Sequence, residues 1–136
     1  MTYAALTGWG KCLPPAVLTN ADLSTFLPTN DEWIVSRTGM KERRISHVSG
    51  LEMAYVAAER ALACAGMKAG ELDFIIYGSC SFDEHVPNSA SGLQTKLGAH
   101  HAAAMDGMNG QHVCLQRGFR RPVGSRRPTA SCTSLA

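Results

Sequence analysis

The 136-residue chain predicts an α/β fold, a layered arrangement of helices on a mostly parallel sheet. Two observations carry this. Short apolar runs bounded by turn residues, Phe74-Ile-Ile-Tyr-Gly-Ser79 above all, read as buried strands. Between them lie segments whose apolar residues recur at helical spacing, and strands separated by helices of that length form βαβ units.

Each element follows from local signals. The run from Tyr3 to Leu13 is a strand leading into glycine-containing sequence and closed by Pro14-Pro15. Thr19 or Asn20 can cap a short helix through Leu23 and Phe26. Thr29-Asn-Asp-Glu32 has the form of a capping box, with the Thr29 hydroxyl as cap and the helix starting near Asp31. Ser49-Gly-Leu-Glu52 repeats the device. Behind it Leu51, Ala54, Tyr55, Ala58, Ala61, Leu62 and Ala65 form one helical stripe that Gly66 stops. Pro87-Asn88-Ser89 opens a helix through Leu93 and Leu97 to Gly98, and Ala102–Asp106 is a further strand.

Charge divides the chain sharply. Residues 1–106 hold 8 Lys+Arg and all 11 acids, whereas residues 107–136 hold 5 Arg and no acid. The second part, with no Ile, Tyr or Trp and no sustained apolar period, is expected to be disordered or loosely attached. Its Arg, Pro, Ser and Ala content also fits a shifted reading frame in GC-rich coding DNA. Arg117, Arg120, Arg121, Arg126 and Arg127 could meet phosphates, but without aromatic platforms or a groove-reading motif nucleic-acid binding is not expected.

Several other chemistries are disfavoured. Five widely spaced cysteines without a C-x-x-C pair predict reduced thiols and a cytoplasmic location. No apolar run is long enough for a membrane span, and with Lys11 as the first cation no secretory signal is expected. Gly8-Trp-Gly10 lacks the third glycine of a dinucleotide fingerprint, because Leu13 occupies its place. His100, His101, His112 and Cys114 lack zinc spacing, and adjacent histidines on a strand would face opposite ways, so no metal site is predicted.

One block stands out, Thr29-Asn-Asp-Glu-Trp-Ile-Val-Ser-Arg-Thr-Gly-Met-Lys-Glu-Arg-Arg44. Trp33 and Arg37 are four apart and share a helix face. From spacing alone the pair fits ordinary packing beside a surface cation, or a patch that stacks a flat base and holds phosphates.

Together with Asn20-Ala-Asp-Leu23, Val86-Pro-Asn-Ser-Ala90 and Ala104-Met-Asp106, this block closely resembles the N-terminal signature of β-ketoacyl-acyl-carrier-protein synthase III, a thiolase-like family. The resemblance covers nearly all of residues 1–106. It implies a thiolase-like fold, represented by the N-terminal βαβ part of the first half, with residues 107–136 as a non-family tail. It implies that Thr29, Trp33 and Arg37 bind coenzyme A, with Trp33 on the adenine. The implied reaction is a decarboxylating Claisen condensation of acyl-CoA with malonyl-acyl carrier protein in fatty-acid or related biosynthesis. Acyl-CoA is then a substrate, no cofactor is tightly bound, acyl carrier protein is a partner, and the family is homodimeric.

The family's nucleophilic cysteine lies five residues after the aspartate matching Asp106, where this chain has Gln111. Cys114 and Cys132 are the remaining candidates, each displaced from the required place, and one residue of displacement moves a sulfur by about 3 Å. The family's histidine and asparagine belong to a second half with no counterpart here. The chain is therefore expected to be a truncated, inactive form, with a non-catalytic interaction fragment or weak anion binding through the tail as alternatives.

Overall fold

A computed structural model describes residues 5–81, 87–107, 112–117 and 129–135. The chain divides into two compact units, residues 13–47 and the remainder.

The larger unit is a five-stranded sheet in the order β1-β7-β6-β4-β5. The strands are β1 (Ala5–Cys12), β4 (Phe74–Gly78), β5 (Ala103–Gly107), β6 (His112–Arg117) and β7 (Thr129–Leu135). β1 with β7 and β4 with β5 pair in parallel, while β6 is antiparallel to both its neighbours. Four strands thus share one direction, and β4, helix α4 (Ser89–Leu97) and β5 form a βαβ unit.

Helix α3 (Gly50–Ala65) begins where Ser49 accepts from the Glu52 amide (3.2 Å) and ends at Gly66, whose φ of 62° is left-handed. Its small residues Ala54, Ala57, Ala58 and Ala61 are buried, joined in the core by Leu62, Leu72, Ile75, Tyr77 and Leu93. Burying each of the larger side chains contributes about 1.5–3 kcal/mol.

The contact between α3 and β1 explains Gly8-Trp-Gly10. Positions 8 and 10 point the same way on a strand and both are buried. A Cβ at Gly8 would lie 2.5 Å from the Ala61 carbonyl oxygen, and one at Gly10 would lie 2.2 Å from that of Ala57. The glycines let helix backbone rest directly on strand backbone. Arg60 adds a tie, donating to the Lys11 carbonyl at 2.6 Å. Pairing with β7 is irregular between Leu6 and Gly8, so the strand carries an extra residue just before the first glycine.

Helix α4 is fastened at its start by three side-chain oxygens. The two carboxylate oxygens of Asp106, at the end of β5, accept from the Ser89 (2.9 Å) and Ala90 (2.8 Å) amides. Asn88 accepts from Ser91 at 3.1 Å. A carboxylate is favoured there because it meets unpaired amides at the positive end of the helix dipole. At the outer surface Lys96 of α4 pairs with Glu52 of α3.

The tail expectation needs correction. Residues 112–117 and 129–135 are strands of the main sheet, not disordered chain. Val113 and Leu115 alternate in the manner of a strand and are completely buried beside Tyr77 and Ile75 of β4. Two alternating apolar residues, too few to register as a sustained period, suffice beside an existing strand. A second correction concerns His100 and His101, which are exposed in the turn before β5 and not on a strand.

The smaller unit contains β2 (Ala16–Thr19), α1 (Asn20–Ser24), α2 (Asp31–Thr38) and β3 (Glu42–Ile45), with β2 and β3 antiparallel. The two strands were not legible, being four residues each and poorly alternating. Thr19 caps α1 in a reciprocal box with Asp22, whose carboxyl is held below its ordinary value by the Thr19 hydroxyl and then by the Thr19 amide. α1 ends at Ser24, short of the expected Phe26, with Thr25 as its C-cap. Among the described residues, no helix is long and apolar enough to cross a membrane.

If backbone contact sets the spacing of α3 and β1, Gly10→Ala destabilises the protein by about 3 kcal/mol, the upper range for overpacking. Gly70→Ala, where an added Cβ meets nothing within 4 Å, serves as the control and stays within about 1 kcal/mol. Urea midpoints compare the two, and equal midpoints would remove the argument.

Candidate coenzyme-binding site

The informative sequence block folds within the smaller unit. α2 has only two turns, and a helix that short is not stable alone. It is held at its N-terminus by Asn30, whose side-chain oxygen accepts from the Trp33 amide at 2.8 Å. It stops at Gly39, where φ is 73°. Ile34 anchors it by burial.

The cap is therefore Asn30 and not Thr29. Asn is as good a capping residue as Thr or better, and it stands directly before the first helical residue. Thr29 is left with a different property. Its Oγ1 is buried and is the one buried side-chain polar atom without a hydrogen-bond partner among the described residues. Such an atom costs about 1–3 kcal/mol when it has no partner.

Thr29 is also one of the residues lining a hollow of about 230 Å³, together with Pro28, Asn30 and Trp33. Trp33 is 57% exposed. An open aromatic face beside an unpaired hydroxyl suits a flat group with polar edges, which stacks on one and hydrogen-bonds to the other. Arg37 is exposed one turn further along the same helix face, though it does not line the hollow. Arg44 pairs with Glu42 at 3.3 Å and Arg43 donates to Asn20. Arg37 and Lys41 have no such partner among the described residues, and are free to meet an anion.

The structure thus brings Thr29 and Trp33 into one hollow and sets Arg37 beside it. The signal for Asn30 was present in its type and position, and that for Pro28 was not. Cys114 and Cys132 lie far apart in sequence but are directly paired positions of β6 and β7. Both belong to strands and neither to the start of a helix. Gln111, Arg120, Arg121, Arg126 and Arg127 lie outside the described residues. No group of three His, Cys, Asp or Glu that could hold a metal ion occurs among the described residues.

Fold and site together define a thiolase-like α/β protein. Over 104 residues the chain is 60% identical to "Beta-ketoacyl-[acyl-carrier-protein] synthase III 2" of Vibrio cholerae, covering 76% of this chain and 29% of the relative. It is 46% identical over 108 residues to the synthase III of Roseiflexus castenholzii, covering 76% and 32%. Among solved structures, 3-oxoacyl-[acyl-carrier-protein] synthase III from Aquifex aeolicus matches with a TM-score of 0.68 at 41% identity, over 75% of this chain and 33% of that one. The priming β-ketosynthase of the R1128 polyketide pathway matches with a TM-score of 0.67 at 29% identity, over 75% and 31%. No family model matches. The matched part of the chain is a segment of the β-ketoacyl-acyl-carrier-protein synthase III family, and the chain spans about a third of the length of its relatives.

The two cap assignments separate by substitution. Asn30→Ala should cost about 1 kcal/mol, the usual value of an N-cap. Thr29→Val should be neutral or stabilising by up to about 1 kcal/mol, since it removes a buried hydroxyl that bonds to nothing. Thermal unfolding of both variants checks this, and the reverse ranking would restore Thr29 as the cap.

Proposed function

We propose that this chain is the coenzyme-A-recognising segment of a 3-oxoacyl-acyl-carrier-protein synthase III. The carrying observation is the exposed Trp33 at a hollow that Thr29 also lines, with the Thr29 hydroxyl left unpaired. In this reading Trp33 stacks on the adenine, Thr29 Oγ1 bonds to its polar edge, and Arg37 meets the phosphate-bearing part of the molecule. Stacking supplies affinity with little directional demand, whereas the hydroxyl supplies orientation.

In a whole enzyme the bound acyl-CoA would pass its acyl group to a thiolate. The resulting thioester would then be attacked by the carbanion left when malonyl-acyl carrier protein loses carbon dioxide. A thiolate at neutral pH needs an anion-stabilising setting such as a helix N-terminus. Cys114 and Cys132 stand within paired strands, and position 111 is glutamine. The chain by itself is accordingly read as binding coenzyme A without catalysing condensation, and residues 107–136 as a stretch outside the family likeness whose two strands lie in the main sheet. The names of its relatives specify acyl carrier protein, and acyl-CoA as the second ligand of the whole enzyme, with no tightly bound cofactor, follows from the family resemblance.

Calorimetric titration of the full chain with coenzyme A tests this reading, alongside an assay with acetyl-CoA and malonyl-acyl carrier protein. Binding is expected to weaken about tenfold in Trp33→Ala, the scale of one lost base–aromatic stack. Thr29→Val is expected to weaken it about fivefold, within the usual value of a hydrogen bond, with no loss of stability. No condensation product is expected. Unchanged affinity in Trp33→Ala would overturn the site, and turnover abolished by Cys114→Ala or Cys132→Ala would overturn the inactive reading.

A further inference from the structure

Asn20 lies at the start of α1 and is 2% exposed. Its side-chain nitrogen donates to the Asp31 carboxylate (2.7 Å) and to the Met40 carbonyl (2.9 Å). Its side-chain oxygen accepts from the Arg43 guanidinium. Its backbone amide donates to the Lys41 carbonyl at 3.3 Å, and its carbonyl accepts from the Ser24 hydroxyl at 2.9 Å. Both side-chain donors and the acceptor are engaged, so no other residue type of this size supplies the same set.

The partners are informative. Asp31 is the first residue of α2, and Met40 lies just past the Gly39 that ends it. One buried amide therefore grips both ends of the helix, and through Arg43 the following strand β3. Trp33 and Arg37 are exposed, with little packing of their own to fix where they point. Their direction is inherited from α2, which is too short to be rigid alone.

We infer that Asn20 is a positioning residue for coenzyme A, which it does not line, acting by holding both ends of the helix that presents Trp33 and Arg37. This rests on the coenzyme-binding reading above. A polar side chain with fixed donors at a buried knot specifies one arrangement where an apolar residue would allow several. Arg37 in particular sits in the last turn, nearest the Met40 end of the grip.

The test is calorimetric titration of the full chain with coenzyme A at pH 8 and pH 5, with circular dichroism to monitor folding. Asn20→Asp keeps the size but removes both donors and sets one carboxylate against another. At pH 8 it should bind about tenfold more weakly than wild type, the cost of losing hydrogen bonds to charged and buried groups. At pH 5 part of that ratio should close, because a proton shared between the facing carboxylates restores the tie to Asp31 against the pull of the Arg43 guanidinium, while the Met40 carbonyl stays without its donor. The paired exchange Asn20→Asp with Asp31→Asn restores the tie to residue 31 with donor and acceptor reversed but leaves the Met40 carbonyl without a donor, so at pH 8 it should bind more tightly than Asn20→Asp and more weakly than wild type.

Wild-type-like binding by Asn20→Asp at pH 8, while Trp33→Ala binds weakly, overturns the inference and leaves the site intact. A loss of binding that neither acid nor the paired exchange repairs overturns it too. Absence of binding by the wild type removes the site reading, and the inference with it. Should Asn20→Asp not fold, Asp31→Ala at an exposed position replaces it, with a loss of about threefold expected and equality with wild type overturning the inference.

Discussion

The backbone-to-backbone seating of α3 on β1 is the constraint on which the larger unit depends. Gly8 and Gly10 present no side chain where the carbonyls of Ala57 and Ala61 arrive. The helix answers with a face of alanines, so strand and helix approach more closely than larger residues would permit. With that spacing set, Leu72, Ile75, Tyr77 and Leu93 fill the remaining depth under α3 and α4. Close packing leaves little slack for a change of even one methyl group. A glycine pair that could suggest a phosphate-binding turn is a packing device here.

Most of the larger unit was legible because its signals are local and agree with one another. Ser49 and Gly66 bracket α3, Asn88 and Gly98 bracket α4, and the apolar run at Phe74 becomes β4 within a residue of its expected end. Asp106 was legible only as a point of family likeness. Its work as a tether for α4 depends on a residue 17 positions away, which no local pattern reveals. The tail failed for the opposite reason. Composition argued for disorder, yet strand formation in a sheet depends on an available neighbour, and β4 supplies one to Val113 and Leu115.

In the smaller unit the residues of the proposed site could be picked out from the sequence and their structural support could not. Trp33 and Arg37 could be placed on one face from spacing, and the family likeness attached coenzyme A to that face. Thr29 was singled out both for the proposed site and as the cap of α2, and the cap is Asn30. Asn30 does the capping, which leaves the Thr29 hydroxyl buried and unpaired, so a side-chain rotation that turned it toward the hollow would cost no existing hydrogen bond. Asn20, β2 and β3 carry no periodicity. Their importance comes from contacts spanning 11 to 23 residues, which are set by tertiary structure alone.

The central proposal is that α2 and the turn before it form a coenzyme A site, in a chain whose residue 111 is glutamine. A crystal structure of the full chain grown with coenzyme A tests it most directly. The adenine is expected stacked on Trp33, with one polar atom within hydrogen-bond distance of Thr29 Oγ1. Coenzyme A bound elsewhere, with Thr29 still unpaired and Trp33 uncovered, would contradict it.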